Sequence, residues 1–126
     1  MIKGIGTDLL KIKRLMPILS QEEYLNDSFI RRTYTAAEIA LAESRDVPLY
    51  FYATRFAGKE AVFKALNTTG EDVRLSEIEI LCDDSGKPRV VLHGSALSLA
   101  QKKEISHILI SLSYEDDCAL ACAVAE

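Results

Sequence analysis

A chain of 126 residues has the size of one domain, because two cores of about 60 residues each are marginal in water. Apolar residues make up 48% and charged residues 27%, which excludes a disordered chain, and no apolar run approaches the 18 residues of a membrane-spanning helix. The net charge of −4 excludes nonspecific nucleic-acid binding through a basic surface.

In chain order, residues 2–9 (IKGIGTDL) alternate weakly and predict a strand. Ile5 and Leu9 lie on one side, and Gly4, Gly6 and Asp8 on the other. The opening has no charged-then-apolar leader pattern and no small-residue cleavage site, so it reads as cytoplasmic. Residues 11–19 look helical until Pro17 disturbs the pattern. Residues 21–34 are polar and carry no clear period. Thr35, with Glu38 three residues on, has the spacing of a capping box that starts a helix.

Residues 49–67 (LYFYATRFAGKEAVFKALN) predict the longest helix, ended by Thr68-Thr69-Gly70. Residues 76–82 and 89–93 predict two strands around the turn DDSGKP at 83–88. A short helix over 94–103 opens with Ser95 as its expected cap. Residues 106–113 and 118–125 predict a closing hairpin around YEDD, and His93 and His107 read as structural. The element order is α+β, one domain over residues 1–126, with a long central helix on a mostly antiparallel sheet. Cys118 and Cys122 are four strand residues apart, about 13 Å, too far to bridge. The three cysteines read as buried free thiols.

The central helix carries the most information. At 100° per residue, Ala57, Gly58, Ala61, Val62, Ala65 and Leu66 form a small-residue apolar face suited to close packing on a sheet. The opposite face holds Glu60 and Lys64, with Phe56, Lys59 and Phe63 beside them. Phenylalanines on a charged face point to a covered surface. Spacing alone allows Glu60 and Lys64 to be an exposed i,i+4 pair. The sharper reading makes Glu60 a metal ligand with Lys64 as a phosphate contact. Asp8 fits a turn residue capping the next helix. It also fits one half of a two-carboxylate Mg²⁺ site with Glu60. The segment GIG lacks a full GxGxxG, and no other nucleotide-loop motif is present. Residues 1–64 hold ten Lys/Arg against eight Asp/Glu, while residues 65–126 hold five against eleven. The N-terminal half is therefore the side suited to an anionic ligand or an acidic partner.

Four segments together resemble the holo-(acyl-carrier-protein) synthases, the short branch of the 4′-phosphopantetheinyl transferases. They are Gly4-Ile5-Gly6-Thr7-Asp8-Leu9, Tyr34-Thr35-Ala36-Ala37-Glu38, Arg55-Phe56-Ala57-Gly58-Lys59-Glu60-Ala61 with Lys64-Ala65-Leu66, and Gly86-Lys87-Pro88. They fall in that family's order and spacing from end to end of the chain.

The resemblance implies transfer of the phosphopantetheine arm of coenzyme A to a serine of apo-acyl carrier protein, releasing adenosine 3′,5′-bisphosphate and supporting fatty acid biosynthesis. It implies Mg²⁺ held by Asp8 and Glu60, with Lys64 completing the catalytic set. Coenzyme A contacts are implied for Arg55, Lys59, Lys64, Gly70, Lys87 and Pro88. It also implies a homotrimer with sites between subunits, no membrane and no nucleic acid. Arg14 falls where the family docks its acidic carrier, with Arg31 and Arg32 as assisting or merely solvated residues. The serine's proton goes to a carboxylate such as Glu60 or to a metal-polarised water. The alternative is a catalytically weak relative that binds coenzyme A or a carrier protein.

The chain departs from the family pattern in places. Tyr114 follows Ser111-Leu112-Ser113 where many members have histidine. The loop Asn67-Thr68-Thr69-Gly70 is one residue longer, and Glu22 and Glu23 make the first helical region less basic.

Overall fold

Alternating alanines set the centre of the fold. In this computed structural model, which describes residues 1–69 and 72–126, strand β5 (Cys118–Ala125) lies between β1 (Gly4–Lys11) and β4 (Ile108–Tyr114), antiparallel to both. Ala119, Ala121, Ala123 and Ala125 turn to one face and are buried. Helix α4 (Pro48–Ala65) packs across that face with Ala57, Ala61 and Ala65, also buried. Small residues on both partners allow a close approach. At β1 it is closest: a Cβ on Gly4 would overlap the Ala65 carbonyl oxygen, and one on Gly6 the Ala61 carbonyl oxygen. The glycine side of β1 thus makes room for the backbone of α4.

Strands β2 (Ile78–Cys82) and β3 (Pro88–Leu92) form a separate antiparallel hairpin, with β3 lying beside β4. Helix α3 (Ala36–Glu43) starts at the expected capping box: the Glu38 amide donates to Thr35 Oγ1 at 3.2 Å, and the Thr35 amide to Glu38 Oε1 at 2.9 Å.

Several local expectations shift. The stretch at 11–19 splits into a 3-10 turn (Ile12–Arg14) and helix α1 (Met16–Leu19). Pro17 sits in the first turn of α1, where its missing N–H costs nothing. The featureless 21–34 contains a 3-10 turn (Tyr24–Asn26) and helix α2 (Ser28–Thr33), capped by Asp27 accepting from the Phe29 amide. Helix α4 ends at Ala65, before the threonines; Leu66 is its C-cap and Asn67 follows at φ +51, a conformation asparagine tolerates. His93 rather than Ser95 holds the N-cap position of helix α5 (Gly94–Lys102), and its side chain makes no capping bond. The Ser95 amide instead donates to the Glu77 carboxylate at 2.6 Å. The cysteines are free but half-buried rather than buried.

The other face of β1–β5–β4 inverts the usual pattern. Ile5, Leu9, Leu109 and Leu120 are 66%, 68%, 57% and 47% exposed. The register aligns Ile5, Val124 and Leu109 in one row, and Leu9 with Leu120 in another. Thr7, Cys122 and Ser111 form the row between them, so this open face carries two apolar rows separated by a smaller, more polar one.

Candidate active site

Because Gly6 lets β1 lie against α4, Asp8, two residues on and on the same face, comes up beside the last turns of the helix. Lys64 reaches back across the junction. Its Nζ donates to the Thr7 carbonyl at 2.7 Å and lies 3.4 Å from Asp8 Oδ1. Glu60 sits one turn earlier on the same helix face, half-buried. Its carboxyl holds its proton more tightly than usual, first because burial disfavours the charge and second because Asp8 repels it. Lys64 and Arg14 pull the other way. The fold thus gathers Asp8, Glu60, Lys64 and Arg14 into one electrostatic group.

Two like-charged carboxylates at such a junction, with one raised by the other, form a donor set that a divalent cation relieves. Among the described residues no group of three or more His, Cys, Asp or Glu side chains is placed to hold a metal. Mg²⁺ in phosphoryl-transfer sites uses one or two carboxylates and completes its shell with water and substrate oxygens, so the Asp8–Glu60 pair fits that chemistry.

Lys59, expected at the phosphates, is placed elsewhere. Its side chain is 0% exposed, and its Nζ donates to Glu38 Oε1 at 2.8 Å, the Ile78 carbonyl at 2.6 Å and the Leu75 carbonyl at 3.1 Å. All three ammonium protons are used. Glu38 also accepts from the Ile80 amide at 2.8 Å. Lys59 therefore ties α3, α4 and β2 together from inside and has no free donor for a ligand.

Arg55 is also kept apart from the carboxylates. Five residues separate it from Glu60, about 140° around the helix and about 7.5 Å along it. Its guanidinium lies 4.1 Å from the Phe51 ring centroid and donates to Cys82 Sγ at 3.2 Å. There it lines a cavity of about 360 Å³ with Arg45, Tyr50, Phe51, Thr54 and Tyr114. Lys87 and Pro88 belong to this side: Pro88 pairs with Cys82 across the β2–β3 hairpin. Tyr114 stacks on Tyr50 with centroids 4.8 Å apart. Sequence reasoning missed Arg45 and Tyr50. The only signal was an arginine and a tyrosine flanking the start of the long helix, and nothing local aims them at Arg55. Gly70 lies outside the described residues. Arg14, Arg31 and Arg32 are exposed.

A Gly-Asp strand thus meets a Lys-Glu helix at one junction, and a basic, tyrosine-walled cavity lies on another side of the same helix. The profile of the 4′-phosphopantetheinyl transferase superfamily matches residues 4–123, and the chain belongs to that superfamily. It is 41% identical over 125 residues to a holo-(acyl-carrier-protein) synthase from Alkaliphilus oremlandii, covering 99% of each chain. Its fold is similar to the crystal structure of holo-(acyl-carrier-protein) synthase from Neisseria meningitidis, with TM-score 0.85, 34% identity, and 100% and 99% of the two chains covered. It is also similar to the Bacillus anthracis enzyme in complex with CoA (3′,5′-ADP), with TM-score 0.78, 31% identity, and 99% and 96% covered.

Proposed function

We propose that this protein is a holo-(acyl-carrier-protein) synthase. It transfers the 4′-phosphopantetheine arm of coenzyme A to a serine of apo-acyl carrier protein and so supplies fatty acid biosynthesis. The observation that carries this reading is the close approach of β1 to α4 at Gly6, which sets Asp8 beside Lys64 with Glu60 one turn earlier on the helix. The relatives' names and the coenzyme A complex of a similar chain support the substrate assignment. Residues 1–126 act as one transferase domain. No helix among the described residues is long and apolar enough to cross a membrane.

Asp8 and Glu60 would hold Mg²⁺, which when bound neutralises charge on the coenzyme A diphosphate. Lys64, half-exposed beside them, contacts the same phosphates. The carrier serine loses its proton to Glu60 or to water held there. Its oxygen bonds to the phosphorus that carries the pantetheine arm, and the bond to adenosine 3′,5′-bisphosphate breaks.

Arg55, with Lys87 and Pro88 on its side of the helix, anchors the distant phosphate of coenzyme A. Since one chain keeps Arg55 away from Asp8 and Glu60, the complete site forms between copies. The open apolar face carrying Ile5, Leu9, Leu109 and Leu120 supports such self-association, as a homotrimer. Arg14, which acts on Glu60 through space, sits where the carrier's acidic surface would meet the site.

The test is to incubate the protein with apo-acyl carrier protein, coenzyme A and Mg²⁺ and to follow the mass of the carrier. A gain equal to the phosphopantetheine arm is expected. Coenzyme A binding with no gain would replace the enzyme by a binding module.

A further inference from the structure

The junction of Asp8, Glu60 and Lys64 lies at the C-terminal end of α4, with Lys64 in the last turn of the helix. The final carbonyls of a helix have no partner within it and carry partial negative charge. Two carboxylates beside such an end attract a divalent cation, but the same charges oppose a diphosphate.

Two lysines from outside α4 answer that charge. Lys103 Nζ donates to the Leu66 and Asn67 carbonyls, each at 2.7 Å. Leu66 is the C-cap of α4 and Asn67 follows it, so both lie just beyond Lys64. Lys103 is itself held as the C-cap of α5: its amide donates to the Leu99 carbonyl at 3.0 Å, and its own carbonyl accepts from Lys3 Nζ at 3.3 Å. Lys3 Nζ also donates to the Glu104 carbonyl at 2.7 Å, and the Lys3 carbonyl accepts from Asn67 Nδ2 at 3.1 Å. These bonds close a ring through the entry to β1, the end of α4 and the end of α5. Among the described residues neither lysine forms an ion pair, so both charges are spent on helix-end carbonyls. Asn67 and Glu104 stand in the ring at φ +51 and +58, and a glutamate in that left-handed region is held there by the bonds around it.

We propose that Lys103 is a positioning residue for coenzyme A: by capping the Leu66 and Asn67 carbonyls it neutralises the negative end of α4, so that the diphosphate can settle beside Lys64. The inference rests on the transferase reading and deepens it with a residue that none of the four resembling segments contains. Its effect has opposite signs for the two ligands of the junction. Removing the Lys103 charge makes the helix end more negative, which disfavours the diphosphate and does not disfavour Mg²⁺. A lysine that merely braced the helix end would, when lost, displace Glu60 and Lys64 together and weaken both ligands.

The test uses the whole protein with Lys103→Gln, Lys103→Met, Lys103→Arg and Lys3→Met. Calorimetric titration at low salt measures the affinity for Mg²⁺ alone and for coenzyme A at saturating Mg²⁺. Lys103→Gln and Lys103→Met are expected to bind coenzyme A about three- to fivefold more weakly, the size of a helix-end charge effect. Their Mg²⁺ affinity should stay level or rise, and the carrier KM should not change. Lys103→Arg should keep most of the coenzyme A affinity. Lys3→Met, which loosens Lys103 without removing its charge, should lose less than Lys103→Gln, and it carries the test if Lys103→Met does not fold. Unchanged coenzyme A affinity in the neutral variants overturns the proposal. A parallel loss of Mg²⁺ and coenzyme A affinity also overturns it and leaves Lys103 a brace. The titrations need no turnover, so a wild-type protein that binds coenzyme A but transfers nothing refutes the transferase reading while the variants still decide Lys103.

Discussion

Lys64 and Asp8 face each other across the strand–helix junction, with Nζ 3.4 Å from Oδ1 and the ammonium fixed by the Thr7 carbonyl at 2.7 Å. Lys64 is 52% exposed and Asp8 19%, so as an ion pair the contact adds little stability, within about 1 kcal/mol. Its value lies in where it holds a positive charge. Lys64→Ala should leave the melting temperature within a few degrees of wild type and lower kcat/KM for coenzyme A by roughly tenfold or more. Unchanged coenzyme A kinetics would remove Lys64 from the phosphates.

Glu60 gives a pH prediction. Its folded-state pKa is raised, by burial first and by Asp8 second, so the native protein binds this proton more tightly than the unfolded chain does. The contribution is fully favourable below the ordinary glutamate value of 4.5 and is lost as the pH rises through the raised native value. Glu60→Gln cannot ionise and avoids the loss. Without divalent cation it should melt no lower than wild type above that window, with the two curves converging in acid. Thermal melts across pH check this. A variant less stable by the same amount at every pH would show that Glu60 carries no such strain.

The buried Lys59–Glu38 pair answers differently. Removing one partner strands a charge in the interior, so Lys59→Met should cost about 3–5 kcal/mol. The double variant Lys59→Met with Glu38→Leu should recover part of that loss. Denaturant titration measures both. If Lys59→Met were nearly neutral in stability but impaired only coenzyme A binding, Lys59 would be a ligand contact after all.

Gly6→Ala tests the packing that brings Asp8 to the helix. Its Cβ would overlap the Ala61 carbonyl, and that backbone cannot rotate away. A loss of about 1–3 kcal/mol is expected, together with reduced turnover. Full activity in a destabilised variant would separate the packing from the chemistry.

Arg55→Ala, followed by steady-state kinetics, should raise the KM for coenzyme A and leave that for the carrier unchanged. The guanidinium lines the Tyr50–Tyr114 cavity, to which neither Arg14 nor α2 contributes a lining residue. An equal effect on both substrates would contradict a coenzyme-anchoring role.

Much of this was legible in the sequence because it is local or periodic. The helix period over α4 named the alanine and glycine face, the strand period over β4 and β5 named the hairpin, and Thr35 with Glu38 named a helix start. The unread parts depend on distant partners. Helices α1 and α2 have four and six residues, too short to show a period, and are held by contacts outside themselves. Lys59 sat one residue from Glu60 in a charged motif. Its burial is decided by Glu38, 21 positions away, and by carbonyls of the β2 segment. The capping glutamate was visible, but its second task was not. Alternation in β1 gave two faces, yet only the structure showed that the glycine face is the buried one and the apolar face the open one.

The claim on which the mechanism depends is that Asp8 and Glu60 hold one divalent cation between them. Calorimetric titration of Mg²⁺ into the protein with coenzyme A present measures it directly, for wild type, Asp8→Asn and Glu60→Gln. One cation site per chain, lost or severely weakened in either single variant while both keep the wild-type fold, is the expected result. Undiminished Mg²⁺ affinity in both variants would contradict the account.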